Sequence, residues 1–106
     1  MDFKLTFNQF FPRGAILVES RPWHEYKDGQ RTEKQLGLNY TLVRLPGYDK
    51  ISVKVPQLTP IISNEEIDSS DTVILVEAEG FIGTIYFTKS SAQISCSAER
   101  LVIVDA

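Results

Sequence analysis

The sequence predicts an all-β protein, specifically a small OB-like Greek-key barrel of five or six antiparallel strands with one short helix between the third and fourth strands. Turn signals join neighbouring strand-like segments into hairpins, and a helix-capping pattern stands between two such hairpins. The strand signals are short runs rich in β-branched and aromatic residues, at positions 15–20, 36–45, 51–55, 72–78, 81–88, 93–97 and 101–104.

The clearest hairpin signal is a pair of strand-like runs on either side of Pro46 and Gly47. This dipeptide favours a type II turn, because proline presets φ and glycine tolerates a positive φ. In the run after the turn, apolar residues occupy every other position and are expected to face a core: Ile51, Val53 and Val55. Lys50 and Lys54 are then expected on the opposite face.

A short helix is predicted to begin at Asn64 and to last to about Ser70. Ser63 and Glu66 have the spacing of a capping box, in which each side chain satisfies a backbone amide at the start of the helix. Three strands, a short helix and two or three further strands is the element order of an OB-fold.

The length of 106 residues fits one β-barrel domain over residues 1–106, with residues 1–13 as a peripheral N-terminal segment. Polar residues interrupt the apolar ones near the N-terminus, so no signal-peptide core forms, and no apolar run approaches the ~20 residues that cross a bilayer. The single cysteine cannot form a disulfide within the chain. The expected location is the cytoplasm, without membrane contact.

The net charge of −3 is unevenly distributed along the chain. Residues 1–54 contain nine basic and six acidic residues, whereas residues 55–106 contain two basic and eight acidic residues. An acidic protein with this distribution can still present a basic face.

Residues suited to catalysis or metal binding are sparse. His24 is the only histidine and Cys96 the only cysteine, so no cluster of metal ligands is expected. The alternation around Cys96 predicts a small buried side chain and no reactive thiolate. We therefore expect no enzyme activity, no catalytic residues, no metal and no cofactor.

Basic and aromatic residues interleave between positions 13 and 54, as they do in grooves that bind single-stranded nucleic acids. In such grooves cations contact phosphates and flat rings stack on bases. A solvated surface with a few core tyrosines is the alternative interpretation of the same residues. The candidate nucleic-acid-binding residues are Arg21, Trp23, Arg44, Tyr48, Lys50 and Lys54.

Three segments carry a resemblance to a known family. The first contains Gly14-Ala15-Ile16-Leu17, Arg21 and Asp28-Gly29-Gln30, the second Asn39-Tyr40-Thr41-Leu42 and residues 51–56, and the third residues 97–104. In this order the chain resembles a family of small helicase-processivity factors, a domain of unknown function, from Gram-positive integrative conjugative elements.

The resemblance implies an OB-like, non-enzymatic protein that binds single-stranded DNA and acts beside a helicase and a relaxase during conjugative transfer or replication. A different class of function stays open: a β-barrel adaptor or structural subunit of a phage or mobile element that binds only protein. An exposed strand edge or the acidic second half would then form its interface. The sequence gives no oligomeric state.

Overall fold

The computed structural model describes residues 2–45 and 47–104, in which we find eight strands and two short helices. The strands are β1 (Asp2–Leu5), β2 (Ala15–Lys27), β3 (Gln30–Arg44), β4 (Lys50–Val55), β5 (Ile74–Glu79), β6 (Ile82–Phe87), β7 (Ala92–Ser97) and β8 (Arg100–Ile103). The helices are α1 (Phe7–Phe10) and α2 (Asn64–Ser69). Within these residues no helix has the length and apolar character to cross a membrane.

The strands form one sheet in the order β1-β6-β7-β4-β3-β2-β5-β8. The predicted all-β class is confirmed, but the described residues contain eight strands where the sequence predicts five or six. The pairing of β4 with β7 is parallel, whereas only antiparallel strands were expected. This strand order does not by itself close a barrel, so the OB-like barrel stays a prediction.

The first long hairpin consists of β2 and β3, which are 13 and 15 residues long. Its turn is formed by Asp28 and Gly29, both with positive φ (52° and 78°), as a type I′ turn requires. The strand signals at residues 15–20 and 36–45 are therefore only parts of longer strands. The register between β2 and β3 slips at three places, which lets two long strands twist without separating.

The hairpin between β3 and β4 is confirmed by six cross-strand pairs, from Leu38 opposite Val55 to Val43 opposite Lys50. Pro46, on which the predicted turn type depends, lies outside the described residues. At the far side of the turn Tyr48 has a positive φ of 62°, and its N–H donates to the carbonyl oxygen of Arg44 at 2.6 Å.

The second long hairpin is made of two arms, β5 with β6 and β7 with β8. The register of β5 with β8 continues without a shift into that of β6 with β7, so the two arms pair along their whole length. Gly80, with a φ of 64°, bends the first arm between β5 and β6. At the same level the N–H of Glu99 donates to the carbonyl oxygen of Glu79 at 2.9 Å, so the two arms bend together.

The N-terminal segment pairs with the sheet and contributes side chains to the core. Strand β1 pairs antiparallel with β6, and Thr6 caps α1 with a reciprocal capping box to Gln9. Phe10 and Phe11, at the end of this segment, are 3% and 1% exposed and belong to the core. Their rings pack with Phe81 at centroid separations of 6.0 and 5.9 Å.

Helix α2 spans nearly the predicted residues, and the Ser63 hydroxyl accepts the N–H of Glu66 at 3.1 Å, as the capping pattern predicts. The Ser63 hydroxyl also contacts the Glu66 carboxylate at 3.1 Å. A contact that the sequence did not predict attaches the helix to β2. The Asn64 side chain accepts the N–H of Ser20 at 2.9 Å and donates to its carbonyl oxygen at 3.0 Å.

The core lies under the inward faces of β2, β3 and β4. Tyr40 is fully buried there, and its hydroxyl accepts the N–H of Ile61 at 3.1 Å. This places Tyr40 in the core, which removes it from any binding surface. The buried apolar residues are Phe10, Phe11, Ala15, Leu17, Leu38, Tyr40, Leu42, Ile51, Val53, Val55, Val76, Cys96, Ala98 and Leu101.

Candidate nucleic-acid interface

The outward face of β4 carries the two lysines that the sequence predicts there. Burial alternates strictly along β4, with Ile51, Val53 and Val55 buried and the residues between them exposed. Lys50 and Lys54 therefore share the outward face. Four residues of extended strand separate them by about 13 Å along the strand.

Trp23 lies beside this face, and Lys54 contacts it directly. The Nζ atom of Lys54 is 4.8 Å from the centroid of the Trp23 ring, a cation–π contact. Trp23 pairs with Gly37 of β3, which has no side chain to separate the ring from β4. An added Cβ at Gly37 would lie 2.2 Å from the carbonyl oxygen of Val55, so only glycine fits at this crossing.

Three adjoining depressions follow β4 and β7 on this face, and we call them together the groove. The largest has a volume of about 390 Å³ and is lined by residues that include Trp23, Lys54 and Ile82. The second, of about 250 Å³, shares Lys54 with the first and adds Ser52 and Tyr86. The third, of about 200 Å³, shares Ser52 and extends to Lys50.

A row of polar residues crosses the groove from β3 to β7. Asn39 of β3 pairs with Lys54, and Lys54 pairs with Ser97 of β7, so these residues form one row across three strands. Ser52 and Ser95 line the middle depression. These groove residues were not among the predicted binding residues. Alternation around the buried Cys96 was sufficient to place Ser95 and Ser97 on one face, but nothing local indicates that β7 lies beside β4.

Arg21 lies at the end of the same row, opposite Asn39. Its Nε is 3.3 Å from Oε1 of Glu19, and the Arg21 side chain is 75% exposed. Exposed ion pairs of this kind contribute little stability, so the guanidinium can exchange Glu19 for another anion at small cost.

Arg44 and Tyr48 lie away from the lysines. Arg44 follows Val43, the residue opposite Lys50, so strand alternation puts Arg44 on the other face of the sheet. Its guanidinium forms an ion pair with Asp49. Tyr48 is 72% exposed in the turn beyond the strand end. The structure thus brings Arg21, Trp23, Lys50 and Lys54 to one face and leaves Arg44 and Tyr48 off it.

Acidic residues gather on the other side of the second hairpin. A cavity of about 470 Å³ lies between α1 and β5, and Glu77 is the charged residue in its lining. Glu79, at the end of β5, forms an ion pair with Arg100 of the adjoining β8. A cavity with a carboxylate and no cation is a poor site for phosphates, so it is distinct in chemistry from the groove.

His24 and Cys96 occupy unremarkable structural positions. His24 lies within β2, opposite Gln35, and its buried Nδ1 makes no hydrogen bond. Cys96 is buried, as the alternation predicts, and this burial raises the pKa of its thiol to about 11. Among residues 2–45 and 47–104, no three His, Cys, Asp or Glu side chains lie close enough together to hold a metal ion.

Comparison with known proteins assigns the chain to no family. No protein-family model, no curated protein and no solved structure matches the chain. The resemblance drawn from the sequence therefore stays an expectation.

Proposed function

We propose that this protein is a non-enzymatic, OB-like barrel that binds single-stranded DNA in the groove. The observation that carries the proposal is the shared outward face of Lys50, Lys54 and Trp23. Proteins that bind single strands without sequence preference combine cations that contact the phosphates with aromatic rings that stack on the bases. The two lysines and the adjacent Trp23 ring provide both.

The strand pairings support an OB-like arrangement. Strands β2, β3 and β4 form a meander, β7 joins β4 in parallel, and β5 joins β2 antiparallel. Because β5 and β6 form one arm of the bent hairpin and β7 and β8 the other, we infer that these contacts would close a circuit of five long strands. In OB-folds the ligand face is formed by the second and third strands, which correspond here to β3 and β4.

The charge on this face supports a polyanionic ligand. The register of β1, β6 and β7 places Lys4 on the same side as Thr84 and Ser95, so Lys4 adds a third lysine beside the groove. Glu99, in the lining of the largest depression, is an acidic residue at one end of the groove. A face with more cations than anions attracts a nucleic-acid backbone even when the whole protein is acidic.

A titration with a fluorescently labelled oligonucleotide at several salt concentrations tests the proposal. Each neutralised phosphate contributes about 0.7 to the slope of log affinity against log salt for single strands. Replacement of both Lys50 and Lys54 by alanine is expected to flatten the slope by about 1.4. Trp23→Ala is expected to weaken binding about 5- to 150-fold, with little change in slope.

Arg44→Ala is the matched control, because it removes one cation from the opposite face. We expect it to leave both affinity and salt slope close to those of the parent. The proposal is wrong if the parent binds no oligonucleotide at low salt. It is also wrong if folded variants of Lys50, Lys54 and Trp23 bind like the parent.

The resemblance extends this proposal to a cellular role. A helper protein that holds single-stranded DNA beside a helicase and a relaxase would need a sequence-tolerant groove of this kind. This part of the proposal depends on the resemblance and not on the geometry. Co-purification with a helicase, retained after nuclease treatment, would support it.

A specific observation favours the second candidate, a protein-binding adaptor. Ile82, Phe87 and Ile94, all on the second hairpin, are each more than half exposed. By strand alternation Phe87 and Ile94 are diagonal neighbours on one face of β6 and β7, and Ile82 lies on the other face. Neighbouring exposed apolar residues such as Phe87 and Ile94 are typical of protein contacts. Ile82 and Ile94 also line the groove. A folded Ile82→Ser, Ile94→Ser double variant that binds oligonucleotide less well than the parent would therefore count against this candidate.

A further inference from the structure

The contact between Lys54 and Trp23 suggests how the groove distinguishes a base from a bare phosphate backbone. In the free protein the Lys54 ammonium lies over the ring, 4.8 Å from its centroid. The face of the ring that a base would stack on is therefore occupied by a side chain of the protein itself.

This inference rests on the proposed function. We propose that a base displaces Lys54 from the Trp23 ring and that the released ammonium then binds an adjacent phosphate. The movement of Lys54 would thus couple the stacking of a base on Trp23 to the neutralisation of a phosphate. A strand that offers phosphates without a base at this position leaves Lys54 on the ring and gains only the general electrostatic attraction.

The surroundings of the pair favour such an exchange. Trp23 and Lys54 both line the largest depression of the groove, of about 390 Å³, so there is room beside the ring for a flat group. Lys54 makes no ion pair with the described acidic side chains, hence its long side chain can turn toward a phosphate without leaving a carboxylate unpaired. Its strand neighbours Asn39 and Ser97 are uncharged and do not compete for the ammonium.

The exchange can be followed by fluorescence, because Trp23 is the only tryptophan in the chain. Its fluorescence therefore reports this site alone. In the free protein, Lys54→Ala is expected to raise the rate at which acrylamide quenches Trp23, since it uncovers the ring. Lys50→Ala, which removes the same charge from the same strand, is expected to leave the quenching rate unchanged.

Binding is then compared for an oligothymidylate and an abasic oligonucleotide of equal length. For the parent we expect a preference of about 5- to 150-fold for the strand with bases. In Lys54→Arg the positive charge remains, but a guanidinium stacks on a tryptophan more strongly than an ammonium does. This variant is expected to lose at least half of the logarithm of the parent's preference. Because the guanidinium stays on the ring and neutralises no phosphate, its salt slope for the strand with bases is expected to be about 0.7 smaller than the parent's.

Lys50→Arg is the matched control, with the same chemical change at a position without a ring, and it is expected to keep the parent's preference. Equal preferences in the two arginine variants would overturn the exchange while leaving DNA binding intact. The same holds if thymidylate binds without any change in Trp23 fluorescence. If the parent binds neither strand, the proposed function fails, and the exchange fails with it.

Discussion

The two long hairpins border the groove from opposite sides, and they differ in how they curve. The first, β2 with β3, keeps two strands of 13 and 15 residues continuous and twists through slips of register. The second keeps one register throughout and bends at Gly80, so that each arm is divided into two strands.

The difference matters because each hairpin depends on a glycine for a different physical reason. In the first hairpin Gly37 is needed for space, since the backbone of β4 passes directly over it. In the second, Gly80 is needed for conformation, since its φ of 64° is unfavourable for other residues. The comparison can therefore be tested one hairpin at a time.

Gly37→Ala is expected to have the largest effect, a loss of about 3 kcal/mol in the free energy of unfolding. The added methyl group would lie 2.2 Å from a backbone oxygen of Val55, and backbone atoms in a sheet cannot move away cheaply. Urea denaturation of the parent and the variant measures this loss. Gly47→Ala is the control, because its Cβ meets only the exposed side chains of Asp49 and Arg44, so the substitution should cost less than about 0.5 kcal/mol.

Gly80→Ala tests the bend of the second hairpin and is expected to cost about 2 kcal/mol. A positive φ costs an alanine about 1–2 kcal/mol, and the new Cβ would also lie 2.5 Å from Cγ of Glu99. Combination with Glu99→Ala removes the side-chain contact but not the backbone cost. A double-mutant cycle should therefore recover part of the loss, and full recovery would contradict a conformational role for Gly80.

Asn64→Ala tests the attachment of α2 to the first hairpin, with an expected loss of about 1 kcal/mol. The substitution removes both side-chain hydrogen bonds to the backbone of Ser20, although water can replace them in part. Hydrogen exchange should show faster exchange of the Ser20 amide. Asp68→Ala on the same helix is the control and should leave that amide unchanged.

The last prediction is a dependence of stability on alkaline pH that originates in the second hairpin. Burial raises the pKa of Cys96 from 9.0 to about 11, so the folded state holds the thiol proton more tightly than the unfolded state does. The resulting stabilisation is fully present below pH 9 and is lost as the pH rises toward 11. Denaturation at pH 8 and pH 10.5 should show a smaller decrease for Cys96→Ala than for the parent.

Sequence reasoning predicted the parts of the fold that depend on local patterns. The strict alternation of β4 and the Ser63–Glu66 cap each determine their structure within a few residues, and both were predicted. The middle of the first hairpin was missed, because residues 21–35 are mostly polar and give little strand signal. The role of Phe10 and Phe11 was missed because polar residues surround them.

The candidate site was predicted in part for the same reason. Lys50 and Lys54 follow directly from alternation, and Trp23 was included for its chemistry. Arg44 was placed wrongly beside the lysines, although it shares the alternation of the core residue Leu42, so the sequence itself indicated the other face. The serines from β7 depend on a pairing between distant strands, which no local pattern specifies.

The parallel contact between β4 and β7 has a consequence for folding. Its two residue pairs join strands from different halves of the chain, and Val53 lies 43 positions before its partner Cys96. Each hairpin can form through nearer contacts, whereas this contact must close a long loop for little immediate gain. We expect it to form late, so an intermediate with both hairpins in place would still lack the groove.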